Sequence, residues 1–384
     1  MKKLTHLLLV TLEDPWNALA WSGTPFHMRA SLERQVDKLS VLASLKPTRN
    51  PKDVLLKLAY GRDPERYPLH LTKASQRKFA RQTRKAIEQL RPDAVLSISS
   101  HCLIDLPPQS IPIFMTSDAP WLSWKETYRD FDRMPILGPR FAQREAEAAR
   151  RCTGLIYPSQ WAIEEAQRLY QVPRERLHLR PLGANLTPDL SNDEMSAAID
   201  ARPNDRLDLL YVGKDWERKG GPLAVEIARG LRSAGIHDVH LHIVGCTPEI
   251  SPVMKGSVTV HGRLAAGDPE QASLLRQVFL TSHFLLVPTR AECYGVVFVE
   301  AHAFGLPPIS RAVQAVPSIV LDGETGILEG PDQAAGVYVQ RLLPLIEDRL
   351  QYRTMAHAAR RRYEAQLNWG SFASGVKATI EGSL

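Results

Sequence analysis

Glu292 and Glu300 stand eight residues apart in the part of the chain best suited to chemistry. An apolar run ends at Pro288, a tight turn carries Glu292, and a helical pattern starts at Gly295 and runs to Gly305. This order puts Glu292 at the mouth of a ligand cleft. Glu300 then lies inside the helix, within reach of a ligand along its N-terminal side. Gly295 between them allows close backbone approach, and the first free N–H groups of a helix form an anion site. A diphosphate fits such a site. Glutamates at this spacing also arise on ordinary solvated helices, so the strand, turn and helix around them, with Tyr294-Gly295 between and Gly305-Leu306-Pro307 after, carry the weight.

Upstream, an apolar run delivers Gly213, and a short loop then presents Lys214, Arg218 and Lys219 before the next helix. Fixed cations here would neutralise a diphosphate as it leaves, without a metal. A basic surface loop is the competing reading.

Those residues need elements to position them. Short runs rich in Val, Ile and Leu fall at 6–10, 39–45, 94–99, 111–116, 154–158 and 177–181, and the rhythm restarts at 207–213, 240–245, 258–261, 283–288 and 307–310. Helical patterns lie between most of them, which predicts two doubly wound parallel sheets. The 384 residues exceed what one core usually serves, roughly 250–300. A polar, proline-punctuated stretch around 185–205 reads as the connection. The expected domains are thus 1–187 and 188–364, both Rossmann-like, with ligands bound at the carboxyl ends of the strands in a deep cleft between them.

The loop Val212-Gly213-Lys214 with Arg218-Lys219-Gly220-Gly221, followed by Glu292 and Glu300, resembles retaining glycosyltransferase family 4 with its GT-B fold. Tyr157-Pro158-Ser159 and the segment 177–185 extend the resemblance over nearly the whole chain. It implies that Lys214 stands where the family usually has Arg, and that Lys219 binds phosphate. Glu292 would contact the transferring sugar, the backbone of Tyr294, Gly295, Val296 and Val297 would hold the diphosphate and sugar hydroxyls, and Glu300 would bind the ribose. Arg218 and Gly213 join this donor set. The loop 21–25 resembles the family's glycine-rich N-terminal loop, so Gly23 would approach donor phosphate or acceptor. The resemblance also implies that a last helix, from about 365 to 384, returns to the first domain.

Many family members carry a His after the fourth strand, where this chain reads Thr116-Ser117-Asp118. Asp118 either orients the acceptor or caps the following segment. His101 points at the cleft or is structural. Trp121, with Trp124, Tyr128 and Phe131, forms a sugar or lipid platform or plugs the domain edge. Asp130-Phe131-Asp132 has the D-x-D form of metal-dependent transferases, but no buried strand precedes it, so it is read as chance and no metal or other cofactor is expected.

The net charge of +6 is unevenly placed, with the cation excess in the first half: residues 46–91 hold 13 basic and 4 acidic residues. The segment 73–91, from Lys73 to Arg91, can wind with Phe79, Thr83, Ile87 and Leu90 on one side and Arg77, Lys78, Arg81, Arg84 and Lys85 on the other. That suits an anionic membrane surface, or is simply a solvated face. No aromatic interleaving accompanies the charge, so nucleic acid is not an expected partner. No apolar run approaches a spanning length or a secretory leader, and four cysteines without a Cys-x-x-Cys pair fit a reducing cytoplasm. The expected function is metal-free, retaining transfer of a hexose from a nucleotide-diphosphate sugar to an acceptor hydroxyl. A GT-B nucleotide-sugar epimerase and a non-catalytic nucleotide-sugar-binding protein are the alternatives.

Overall fold

Strands buried on both faces need apolar side chains at every position, and the first one, Leu7-Leu8-Leu9-Val10 after His6, has no solvent exposure along that run. The computed structural model describes residues 3–59, 67–128, 134, 137–264 and 268–384. They form two units, Met1–Pro181 with Trp369–Leu384, and Leu182–Asn368.

The first unit holds β1 (His6–Val10), β2 (Lys38–Leu42), β3 (Ala94–Ile98), β4 (Ile113–Thr116), β5 (Gly154–Tyr157) and β6 (Leu177–Leu179), all parallel in the order β2-β1-β3-β4-β5-β6. The second holds β7 (Leu207–Val212), β8 (Val239–Val244), β9 (Val258–Gly262), β10 (Phe284–Leu286), β11 (Pro308–Arg311) and β12 (Ile327–Glu329), again parallel, in the order β12-β11-β10-β7-β8-β9. Chain direction across the sheet reverses between β1 and β3 in one unit and between β7 and β10 in the other. Loops leaving the carboxyl ends of neighbouring strands diverge at such a switch point and leave a crevice for a ligand. The fold therefore singles out the loops after β1 and β3, and after β7 and β10.

The connection differs from the sequence-based boundary at 187. Residues 182–186 belong to the second unit because that unit's polar groups hold their backbone: Tyr294 Oη donates to the Leu182 carbonyl at 2.9 Å, and the Glu300 carboxyl accepts from the N–H groups of Asn185 and Leu186. The last helix starts at Trp369, four residues later than expected, and runs to Glu381. It joins the first unit: Glu381 Oε1 accepts from Leu4 N–H at 2.9 Å, Arg180 donates to Thr379 at 2.8 Å, and Trp369 stacks on His27.

Candidate functional site

At the second unit's switch point, β7 ends in Val212 and hands the chain to Gly213, whose N–H is held by the Val244 carbonyl at 2.9 Å. A Cβ on Gly213 would sit 2.9 Å from the Tyr211 hydroxyl and 3.0 Å from Lys219 Cγ, so the glycine lets the Lys219 side chain pass over the strand end. The loop closes at Gly220 (φ 75°), where a side chain would run into the Pro288 carbonyl. That contact presses the loops after β7 and β10 together. Arg290 N–H donates to the Arg218 carbonyl at 2.7 Å and reinforces it.

The pressed loops bring Lys219 Nζ onto Glu292 Oε2 as a direct ion pair, with the Arg218 guanidinium 3.8 Å from the same oxygen. Glu292 is 6% exposed, so the pair is shielded and worth more than a surface one. Arg218 also donates to the Ala291 carbonyl at 2.8 Å and pairs with Asp215 at 3.4 Å. Lys214 is exposed and makes no hydrogen bond or ion pair with a described residue. The structure thus joins Lys219, Arg218 and Glu292 and leaves Lys214 in solvent.

Gly295, left-handed at φ 91°, caps the helix Val296–Ala303, which is shorter at its end than the expected run to Gly305. A Cβ there would meet Phe298 and Glu292. Val296 is partly exposed and Val297 buried. One turn on, burial pushes the Glu300 carboxyl up to about 8, against the pull of the Leu186 N–H, Lys219 and the Asn185 N–H. Burial also raises the Tyr294 hydroxyl.

The sequence reading missed Gln314. It lies in the loop after β11 with a left-handed φ of 39°, rare for a side chain of this kind. Its Oε1 accepts from Glu292 N–H at 3.1 Å, while the Glu292 carbonyl accepts from Ala315 N–H at 3.4 Å. Two bonds therefore fix the backbone of the glutamate that meets Lys219. Only the fold, which sets β11 beside β10, brings Gln314 there.

The first unit's switch point opens into a cavity of about 800 Å³ whose wall includes Thr11 and Glu13 after β1, Ser99 and His101 after β3, and Asp118, Trp121, Trp124 and Lys125 after β4. Gly23, at φ 90°, caps the helix Thr24–Glu33, and Trp21 and Ser22 before it are also left-handed; Trp21 reaches the cavity wall. Asp118 Oδ1 accepts from Ala119 N–H at 3.0 Å. The first N–H of the helix Trp121–Tyr128 goes instead to Glu145 Oε2 at 3.0 Å. Glu145 is buried, accepts from Ser100 Oγ at 2.8 Å, and is pushed up to about 7 by burial. The sequence reading missed it, because a glutamate in a helical pattern is normally a solvent-facing one. His101 pairs through Nδ1 with Ser99 Oγ at 3.0 Å, and its buried Nε2 has no partner among described residues. Burial holds its imidazole well below the usual range. Trp121 and Trp124 line this cavity; Trp121 packs on Phe141 and Trp124 on Tyr128.

The helix Lys73–Leu90 buries Phe79, Thr83 and Ile87, while Leu90, expected on that side, is 37% exposed beside the left-handed Arg91 that ends the helix. Arg77, Arg81, Arg84 and Lys85 face solvent; Lys78 donates to the Lys46 carbonyl at 3.0 Å. Among the described residues, no group of three or more His, Cys, Asp or Glu side chains is placed to hold a metal ion, and no helix is long and apolar enough to cross a membrane. Asp130, Phe131 and Asp132 lie outside the described residues.

Two Rossmann-like units, each built on a six-stranded parallel sheet, are the architecture of the GT-B class of fold. The family described as Glycosyltransferase Family 4 matches residues 26–187, and Glycosyl transferases group 1 matches 206–348. The chain belongs to the family 4 glycosyltransferases. It is 26% identical over 235 residues to D-inositol 3-phosphate glycosyltransferase of Nocardia farcinica, covering 58% of this chain and 51% of that one. The chain thus spans about half the length of the curated relatives it matches. Among solved structures, sucrose-phosphate synthase from Thermosynechococcus elongatus superposes with a TM-score of 0.69 at 18% identity, over 99% of both chains. Anabaena HepE in complex with UDP-glucose does so with a TM-score of 0.61 at 14% identity, over 98% of this chain and 100% of the other. At these identities the structural likeness speaks for the fold.

Proposed function

We propose that the chain transfers a hexose from a nucleotide-diphosphate sugar to an acceptor hydroxyl, with retention and without a metal. The observation that carries this reading is the shielded Lys219–Glu292 pair at the switch point of the second sheet, beside the N-terminus of the helix Val296–Ala303. A diphosphate in this crevice would meet Lys219, with Lys214 free to swing in from solvent, and the first-turn N–H groups. These are the groups needed where charge grows as the anomeric C–O bond breaks. The acceptor oxygen then bonds the anomeric carbon on the face the phosphate leaves, and the departing phosphate oxygen takes the acceptor proton. Retention through a covalent intermediate would need a free carboxylate nucleophile. Glu292 is the carboxylate in this loop, and its pairing with Lys219 suits it to hold sugar hydroxyls instead.

Glu300 would bind the ribose. With its carboxyl held near 8 it is largely protonated at neutral pH and offers both a donor and an acceptor to a diol. The first unit's cavity, with Asp118, His101 and Trp121 in its wall, is the acceptor pocket in this reading. The exposed cations of the helix Lys73–Leu90 would seat the protein on an anionic membrane surface at the cytoplasmic face, where four cysteines outside any disulfide would stay reduced. A thermal-shift screen with UDP, GDP and ADP, each free and as its glucose conjugate, tests donor binding. UDP-glucose comes first, because Anabaena HepE holds it. The reading expects one nucleotide series to raise the melting temperature. No shift with any of them would overturn it.

A further inference from the structure

We infer that Glu145 is a positioning residue for the first unit's cavity: its carboxyl ties the loop after β3 to the loop after β4, and ionisation tightens that tie, so the cavity is better ordered above neutral pH than below it. The link to acceptor binding rests on the acceptor reading above.

Glu145 lies in the helix Leu137–Arg151 at 4% exposure, a depth at which glutamates are normally paired with a cation. Among the described residues no cation pairs with it. Its two oxygens instead hold two loops. Oε1 accepts at 2.8 Å from Ser100 Oγ, one residue before His101, and Oε2 accepts at 3.0 Å from the N–H of Trp121, which opens the helix Trp121–Tyr128. That helix brings Trp121, Trp124 and Lys125 to the cavity wall. The Trp121 N–H stands in a first helical turn, so it has no acceptor within its own helix and can only donate. An ionised carboxyl accepts from both loops through charge-assisted bonds, roughly twice as strong as neutral ones. A protonated one gives an oxygen to its own O–H, so one bond must reverse and the other weakens.

Burial pushes this carboxyl up to about 7, against the pull of the Tyr170 hydroxyl, the Ser100 hydroxyl and the Trp121 N–H. Tyr157 of β5 and Tyr170 of the helix Gln160–Tyr170 set buried hydroxyls beside it, and neither reaches full hydrogen-bond geometry. They are donors in reserve for an ionised carboxylate, whose two oxygens offer about four acceptor sites. Burial first, and then the Glu145 charge, hold both phenols well above their usual range, and burial pushes the nearby Cys152 thiol up to about 12. On its own helix, Arg144 is turned to Asp105 and Arg150 to the Tyr170 carbonyl. On the cavity side stand His70, His101, Asp118 and Lys125, and burial holds both imidazoles well below their usual range. Aspartate and lysine ordinarily titrate far from neutrality. A transition near pH 7 therefore belongs to Glu145.

The test uses the full chain labelled with nitrogen-15 tryptophan, the Trp121 backbone N–H being identified by its loss in Trp121→Phe. As the oxygen facing it becomes anionic, that signal should move downfield in one step centred near the carboxyl's value of about 7. Glu145→Gln keeps the length and both contacts and should remove the step. Ser100→Ala deletes a donor that favours the ionised form and should raise the midpoint, so the test stays decisive if Glu145→Gln does not fold. Octyl β-D-glucoside, a hydroxyl-bearing probe of the cavity, is followed on the Trp121 and Trp124 indole signals. With the carboxyl at about 7, about one molecule in ten is ionised at pH 6 and about nine in ten at pH 8. Wild type should accordingly bind the probe at least about threefold more tightly at pH 8 than at pH 6, and Glu145→Gln equally at both. No step on the Trp121 N–H, a step that survives in Glu145→Gln, an unmoved midpoint in Ser100→Ala, or a wild-type affinity indifferent to pH would overturn the inference. Absence of probe binding at either pH, with the Trp121 step present, would support the tie between the loops and count against the acceptor reading.

Discussion

Replacing Gln314 by glycine should separate the protein's stability from its activity. The native side chain costs and contributes at once. Its left-handed φ of 39° costs on the order of 1 kcal/mol relative to glycine. Its amide oxygen, 3.1 Å from Glu292 N–H, contributes about 1 kcal/mol. Gln314→Gly removes both, so the two terms offset and the melting temperature should move by less than about 3 °C, the change about 1 kcal/mol brings in a unit of this size. Turnover should respond differently. Without the amide, the backbone carrying Glu292 loses its shorter bond and keeps the 3.4 Å bond from Ala315 N–H, and the carboxylate loses its fixed approach to Lys219 and the sugar. A loosened positioning bond of about 1.4 kcal/mol in the transition state is a tenfold loss in kcat. The assay is the initial rate of sugar release from the donor found in the screen, with UDP affinity measured in parallel and expected to stay within twofold. Gln314→Asn, which tolerates the left-handed region but is one methylene short, should lose as much. Full turnover in Gln314→Gly, or a melting temperature lower by 8 °C or more, would refute the positioning role.

Lys219→Ala should lower turnover by roughly 10²–10³, and Lys219→Arg by less, with wild-type rates unchanged in excess EDTA; loss in EDTA that Mn²⁺ restores would sink the metal-free mechanism. Because the Glu300 carboxyl sits near 8 when folded against 4.5 ordinarily, the folded state holds a proton the unfolded state has lost, so its contribution to stability falls as pH rises from about 4.5 to about 8. Denaturation of Glu300→Gln at pH 5 and pH 8.5 should show a smaller decline than wild type, and an equal decline would count against this burial. Arg77→Glu with Arg81→Glu and Arg84→Glu should abolish flotation with anionic vesicles, each exposed cation being worth about 1 kcal/mol at such a surface; unchanged flotation would leave the helix face simply solvated.

What could be read in the sequence was local. Apolar runs announced every strand of the first sheet, and Gly295, read as a point of close backbone approach, is left-handed in the structure. β12 escaped because Ile327-Leu328-Glu329 is three residues between glycines, too short to show a pattern. The domain edge at 187 was misread because polarity suggested a free connection, whereas Tyr294 and Glu300, more than a hundred residues on, hold residues 182–186. Lys219 and Glu292 were both visible as candidate groups, but their pairing depends on β7 and β10 being neighbours, which strand rhythm does not reveal. Gln314 and Glu145 were invisible for the same reason: each acts on a backbone N–H presented by a different element.

The two glutamates of one strand-turn-helix would divide the donor between them, and a paired titration of free diphosphate and full donor separates their roles. Glu300→Ala should weaken free UDP, or whichever diphosphate the screen selects, by as much as it weakens the full nucleotide sugar. Glu292→Ala should bind the free diphosphate like wild type and lose chiefly kcat. Equal losses of free-nucleotide affinity in both variants, or none in Glu300→Ala, would rule out this division of roles.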